Sequence, residues 1–331
     1  MTNRRTLRHG LLTCRILLET ALLLLVFSVL AVVLTARLAA QPWCYLAYVP
    51  VLFAQALLFQ RLYIIGHEGA HRKLLLNSRL GNDLLGQLLL LPLLIPIEVY
   101  RKVHRFHHGF NRRDIHTSAL DVYVSRRKVT PLISLYYHTL WYLGVFAGGY
   151  YLHSLVSVVL FLFVPTHLAE RISPAFKGWN GWARARAWTQ LLLGIALHAA
   201  VWILLGQQVW LAVLGWPMLA FAWVWSLLVY VFHYATTIGP TTRYNVRALD
   251  RNALFSWLFL HFNEHATHHM YPNLPWYELT AQRQPLPPEF AEKNQGSGSV
   301  LRAIFVQLRG PTIVYQESKH EEAAHAIPKS K

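Results

Sequence analysis

Apolar and polar positions alternate along this chain as long hydrophobic runs separated by short basic stretches. Residues 16–33 are almost uninterrupted Leu, Val and Ala, long enough for the roughly 20 residues that a bilayer-crossing helix needs. Glu19 lies near the start of that run. A cleaved signal peptide fits it less well, because the run exceeds an ordinary signal core and Ala39-Ala40-Gln41 is weak cleavage chemistry. A second run, 43–65, follows Pro42, a residue suited to a helix start, and carries Arg61 near its far end. Residues 84–97 are apolar but short, and Pro92 and Pro96 interrupt them, which predicts a re-entrant or interfacial segment. Residues 132–164, with Gly144, Gly148 and Gly149 near the middle, suit a tight hairpin or two interfacial helices. Two further spans are predicted at 188–205 and 209–232, joined by Gly206-Gln207-Gln208. The expected fold is an all-α integral membrane protein of about four transmembrane helices plus interfacial or re-entrant helices.

Composition agrees, with 54% hydrophobic and 14% charged residues. The net charge of +16 adds an orientation. Arg4, Arg5 and Arg8 precede the first span; Arg72, Lys73 and Arg79 follow the second; Arg101, Lys102, Arg112 and Arg113 come next; Arg243, Arg247 and Arg251 follow the last. The linkers at Gln41 and Gln207 are nearly free of charge, and Arg37 is an exception within reach of the interface by snorkelling. Because Lys and Arg collect in cytoplasmic loops, these segments are expected inside the cell. The charge forms no aromatic-interleaved patch, so anionic lipid is a better partner than nucleic acid. Cys14 and Cys44 sit in or beside apolar spans and build neither a disulfide framework nor a thiolate metal site. Residues 1–284 are expected to form the membrane domain. Residues 285–331 are expected to be a polar, partly disordered tail, with 300–308 suited to a short amphipathic helix on the membrane.

The candidate chemistry lies in three histidine sets that emerge on the same expected side. HEGAH holds His67 and His71, HRFHH holds His104, His107 and His108, and HATHH holds His265, His268 and His269. Residues three and four apart share a helix face, so each set presents converging rings. A lone histidine usually packs or hydrogen-bonds locally, but eight imidazoles at ligand spacing point to metal, and to more than the one ion that four to six donors satisfy. Imidazole suits iron, zinc, copper and nickel alike, so ligand type leaves the metal open. Nearby acids are few. Glu68, Asp83, Asp114, Asp121 and Glu264 are expected to accept ring N–H groups instead of binding metal. HEGAH by itself also matches the zinc-protease pattern with Glu68 as general base, but that reading leaves the other two sets unexplained. A histidine-rich metal transporter would need its ligands inside the spans.

The three sets in this order, with the trailing YPNLPWYEL and paired spans between the second and third, resemble the histidine boxes of the integral-membrane fatty-acid desaturase and hydroxylase superfamily. The resemblance runs from about Gly66 to Leu279. It implies a cytoplasmic, histidine-lined di-iron cap, oxygen as co-substrate, and electrons from a separate ferredoxin, rubredoxin or cytochrome, since no haem-binding HPGG stretch is present. It also implies oxidation of an unactivated C–H bond, with desaturation of a fatty acid or fatty-acyl chain as the first reading. A lipid or alkyl hydroxylase, a carotenoid oxygenase and a terminal-alkene-forming fatty-acid decarboxylase are the alternatives within the superfamily. Carried over residue by residue, His67, His71, His104, His107, His108, His265, His268 and His269 match the family's ligand positions. The resemblance places a ninth ligand at His233 in VFHYATT, with His261 as competitor and His116 as a weaker candidate. Val229 stands where some acyl desaturases have an asparagine.

Overall fold

The computed structural model describes residues 2–38, 40–116, 119–294 and 298–316. Four helices are long and apolar enough to cross a membrane: α1 (Thr2–Arg37), α2 (Cys44–Ala70), α8 (Gly181–Leu205) and α9 (Gln207–Leu228), the last containing a π turn at Leu211–Gly215. The short apolar run expected to be re-entrant is a bent pair, α3 (Arg79–Leu90) and α4 (Ile97–Phe110), broken by 97° at the two prolines. The glycine-centred stretch is a second bent pair, α5 (Pro131–Phe146) and α6 (Gly149–Phe163), broken by 87°. Gly148 makes that break with φ +83°, which a side chain would resist. A short helix, α7 (Thr166–Ile172), leads into α8.

The bundle is built around α2. More than half of its apolar window is buried, against 6% for α8, which presents Leu192, Leu193 and Ile203 outward as a lipid-facing surface would. One face of α2 packs on α1 and another on α9, through Phe59, Leu62, Leu214, Phe221 and Trp225. Its third neighbour, α3, comes unusually close because glycines line the contact. A Cβ on Gly69 would lie 2.8 Å from the Gly86 Cα, and one on Gly66 would lie 2.6 Å from Leu90 Cδ2. Arg61 is a buried charge in this apolar setting and is fully engaged. Its guanidinium binds Thr20 Oγ1 (2.8 Å), Glu19 Oε2 (3.3 Å) and the Trp257 and Leu258 carbonyls, and sits over the Trp257 ring. The two charges that interrupt the first two apolar runs thus neutralise each other across α1 and α2.

Beyond α9 the chain forms short helices: α10 (Ala253–Leu258), α11 (His265–Met270), α12 (Pro288–Asn294) and α13 (Val300–Val306). In the stretch expected as a polar tail from residue 285, residues 285–294 and 298–316 are folded back on the protein. Ala303 is buried against Val231, Phe232 and Val246, so the short amphipathic helix expected here packs one face on the protein and leaves Leu301 and Phe305 exposed on the other. Gln307 and Gly310 offer their carbonyls to Trp141 Nε1 (2.8 Å) and Tyr234 Oη (2.6 Å). Strand β2 (Thr312–Tyr315) then pairs in parallel with β1 (Val122–Ser125), Val122 opposite Thr312. Val300, Ala303 and Ile304 pack on the protein, Leu286 is buried, and the buried side chains of Asn294 and Gln307 bond to Thr237, Tyr244 and Leu227, so this anchoring combines a short apolar helix face with buried amides and backbone carbonyls. The loosely ordered end expected beyond, with His320 and His325, lies outside the described residues.

Candidate metal centre

Each histidine set reaches the centre on a differently built element. His67 lies in the last turn of α2 and His71 caps it. Immediately afterwards Asn82 Oδ1 accepts the Leu74 and Leu75 N–H groups (2.8 and 3.1 Å), and Arg72 takes φ +60°, so the chain turns sharply into α3. The second set lies on α4, an amphipathic helix. Arg101 draws α4 against α2 by donating to the Ala70 carbonyl (3.1 Å) and to Asp83 (2.6 Å). The third set rides on α11, entered through left-handed backbone at Leu260 and His261.

The imidazoles form two groups whose nitrogens lie within 4.8 Å of one another: His67, His71, His104, His108 and His268 in the first, and His107, His233, His265 and His269 in the second. The boundaries between groups cut across the sequence sets. Pairs four residues apart (67/71, 104/108, 265/269) stay together, whereas His107 and His268 cross to the other group, because adjacent residues on a helix point about 100° apart. His233 belongs to the second group, with Nε2 3.2 Å from His265 Nε2. His261 is in neither group; its Nδ1 lies 3.0 Å from Thr280 Oγ1. His116 is exposed at the end of a turn capped by Asp114.

The residues fit metal ions. Nε2 atoms approach one another in a chain, His71 to His104 (2.8 Å), His104 to His108 (2.9 Å) and His108 to His268 (3.1 Å). A neutral imidazole Nε2 carries either one hydrogen or one lone pair, so His104 and His108 cannot each satisfy two such neighbours by hydrogen bonding. Convergent lone pairs on a shared cation remove the conflict, and metal–imidazole bonds of about 2.0–2.1 Å allow nitrogens of neighbouring ligands to come this close. His67 Nε2 is buried and unpartnered, while its Nδ1 faces Glu68 Oε1 at 3.2 Å. Burial, then the nearby Lys73 and Arg101, holds His71 at about 4. Burial, then neighbouring imidazoles, keeps His233, His265, His268 and His269 well below their ordinary range. These rings are therefore neutral near pH 7, the form that ligates.

Of the acids expected around the rings, Glu68 reaches a box histidine, His67. Asp83 pairs with Arg101 and Arg72, Asp121 with Arg112 and Tyr230, and Glu264 with Arg251 and Arg283. Arginines that flank the sets in sequence, from the buried Arg112 to the exposed Arg251, draw off these carboxylates. Sequence reasoning misses two contacts: the Tyr100 ring, stacked on His104 at 5.4 Å and 9°, and the Asn245 carbonyl facing His233 Nδ1 at 3.4 Å. Tyr100 lies four residues before His104, a spacing by which that stacking was discoverable.

Comparison with known proteins agrees with this geometry. Residues 40–298 match the family model described as fatty acid desaturase. The chain is 26% identical over 292 residues to an sn-1 acyl-lipid omega-3 desaturase (ferredoxin) of Nostoc sp. (strain 36), covering 81% of this chain and 77% of that protein. It is similarly 26% identical to the like-named protein of Synechocystis sp. (strain ATCC 27184 / PCC 6803 / Kazusa), over 79% of this chain and 76% of the relative. A probable fatty acid desaturase DES1 of Sorghum bicolor is 26% identical over 86% of this chain and 78% of its own length. A match spanning most of the chain, over the stretch that carries both imidazole groups, shows that the protein belongs to the fatty acid desaturase family.

Proposed function

We propose that this membrane oxidoreductase inserts a double bond into the acyl chain of a lipid, using two iron ions held by His67, His71, His104, His108 and His268 on one side and His107, His233, His265 and His269 on the other. The observation that carries the reading is the division of nine imidazoles into two adjoining groups, each drawing on more than one histidine set. Bound there, the irons supply oxygen activation and the oxidising power for C–H abstraction. The protein's part is to aim neutral imidazoles, to keep Glu68 against His67 Nδ1 and to hold the groups at the end of α2, over an apolar bundle suited to an acyl chain.

Electrons come from a separate carrier. The cyanobacterial relatives are named for ferredoxin, and the basic loops here suit an acidic partner of that kind. The same loops support a cytoplasmic orientation of the site. The zinc-protease reading of HEGAH loses ground, because such a site uses three protein ligands and an open position, whereas His67 and His71 share their group with three further imidazoles.

The test is elemental analysis of gently purified protein followed by incubation of lipid-embedded protein with labelled acyl lipid, oxygen and reduced ferredoxin. Two irons per chain and a product two hydrogens lighter are expected. A hydroxylated product would move the assignment within the superfamily, and one zinc with negligible iron would overturn it.

A further inference from the structure

The segments trailing His108 and His233 meet on one residue, Asn245, which is fully buried. Its amide Nδ2 faces the carbonyl oxygens of Gly239 (2.9 Å), Arg112 (3.0 Å) and Asn111 (3.4 Å). Its Oδ1 accepts from Thr237 Oγ1 at 2.8 Å. Its main-chain carbonyl accepts from Asn111 Nδ2 (2.7 Å) and Thr236 Oγ1 (3.2 Å), and faces His233 Nδ1 at 3.4 Å. Asn245 thus joins the loop that leaves α4 to the loop that leaves α9, and its own carbonyl addresses the ring between them.

The chemistry of that last contact is directional. A carbonyl oxygen only accepts, so the proton of a neutral His233 resides on Nδ1 and the Nε2 lone pair is left facing the second imidazole group. The carbonyl's position depends on the side chain of the same residue, which is clamped from both loops. We propose that Asn245 is a positioning residue for the second metal site, setting the tautomer and aim of His233 and tying it to the loop that follows the second histidine set. The inference rests on the metal-binding reading above. Neither a metal-ligand motif nor an acidic partner marks Asn245; only its place between the loops does.

The experiment compares full-length protein, stripped and reloaded anaerobically with ferrous iron, and follows iron release against increasing chelator. Variants are Asn245→Ala; Thr237→Val, which removes the hydroxyl that donates to Asn245 Oδ1 and accepts from Asn294 Nδ2 (2.9 Å); and Thr237→Ser, which keeps it. Outer partners of metal-bound histidines typically govern affinity by about 10–100-fold. Asn245→Ala and Thr237→Val are therefore expected to release one of the two irons at chelator concentrations lower by about that factor, with the other iron and Thr237→Ser as in the unmodified protein. Retention of both irons at unchanged affinity would overturn the proposal, as would equal weakening of both together with a lower thermal midpoint, the mark of a merely structural role. Should Asn245→Ala fail to fold, Thr237→Val decides by the same criterion. If the unmodified protein bound no iron, the metal reading itself would fall, a result separate from any difference among variants.

Discussion

His107 and His108 are consecutive in the chain yet serve different imidazole groups: His108 Nε2 lies 2.9 Å from His104 Nε2, while His107 Nε2 lies 3.2 Å from His269 Nε2. The two sites are therefore interleaved along one helix, and loss of either ring has a distinguishable consequence. Replacing His107 with Ala is expected to weaken the iron held with His233, and replacing His108 with Ala the other, each lowering turnover by at least about 100-fold. Chelator-release curves and acyl-product assays on both variants check this. Full turnover by either variant would remove that residue from the ligand set.

Glu68 touches His67 Nδ1 but is not among the ligating groups. Glu68→Gln preserves shape while replacing the carboxyl that faces the ring Nδ1 with an amide, so iron at the first site is expected to bind about 10–100-fold more weakly with the fold intact. Were Glu68 instead the general base of a peptidase, the variant would abolish peptide cleavage by a zinc-loaded protein; no such cleavage is expected from the unmodified chain.

Gly69 sits between the two histidines of the first set, and a Cβ there would meet the Gly86 backbone at 2.8 Å. Backbone cannot give way as a side chain can, so Gly69→Ala forces α2 and α3 apart. We expect a loss of about 1–3 kcal/mol of stability, with turnover falling further because His67 and His71 move with the helix. Thermal unfolding and product assays on Gly69→Ala and Gly86→Ala check this; wild-type behaviour in both would show the contact to be slack.

Arg61 donates to Thr20, Glu19 and two carbonyls from within the bundle. Removing one partner of a buried ion pair typically costs about 3–5 kcal/mol; Glu19 is partly exposed, so the lower end is expected for Arg61→Ala. The assay is the thermal midpoint in lipid nanodiscs, with iron content retained in the protein that remains folded. An unchanged midpoint would deny the pair its structural role.

Metal-free protein should lose stability in mild acid. His71 is held at about 4, and His233, His265, His268 and His269 lie well below their ordinary value. Above pH 7 neither folded nor unfolded rings bind protons and the effect vanishes. Below about 6.5 the unfolded chain takes up protons that the folded chain refuses, so each group costs up to about 1.4 kcal/mol per pH unit until its folded value is reached. The thermal midpoint of the stripped protein is expected to fall steadily from pH 7.5 to pH 5.5; a rising or flat profile would show the rings to be protonated in the fold.

Much of this protein was determined by local sequence. Hydrophobic runs of bilayer length lead to helices whatever their neighbours, because unsatisfied backbone groups are too costly in lipid, and the 84–97 and 132–164 runs break where prolines and glycines disrupt a helix. Histidines at three- and four-residue spacing on helix ends make converging rings legible in the sequence itself. Tertiary structure alone decided how those rings are shared, since the division between groups depends on how α2, α4 and α11 are rotated against one another. It also places the His233 ring, and not that of His261, within the second imidazole group. After residue 285 the short helix at 300–308 is legible in its apolar spacing, whereas the buried amides of Asn294 and Gln307 and the Gln307 and Gly310 carbonyls that hold the polar stretch are placed only by the segments they meet. Periodicity records side chains that need burial; it carries no trace of a carbonyl that another segment will use.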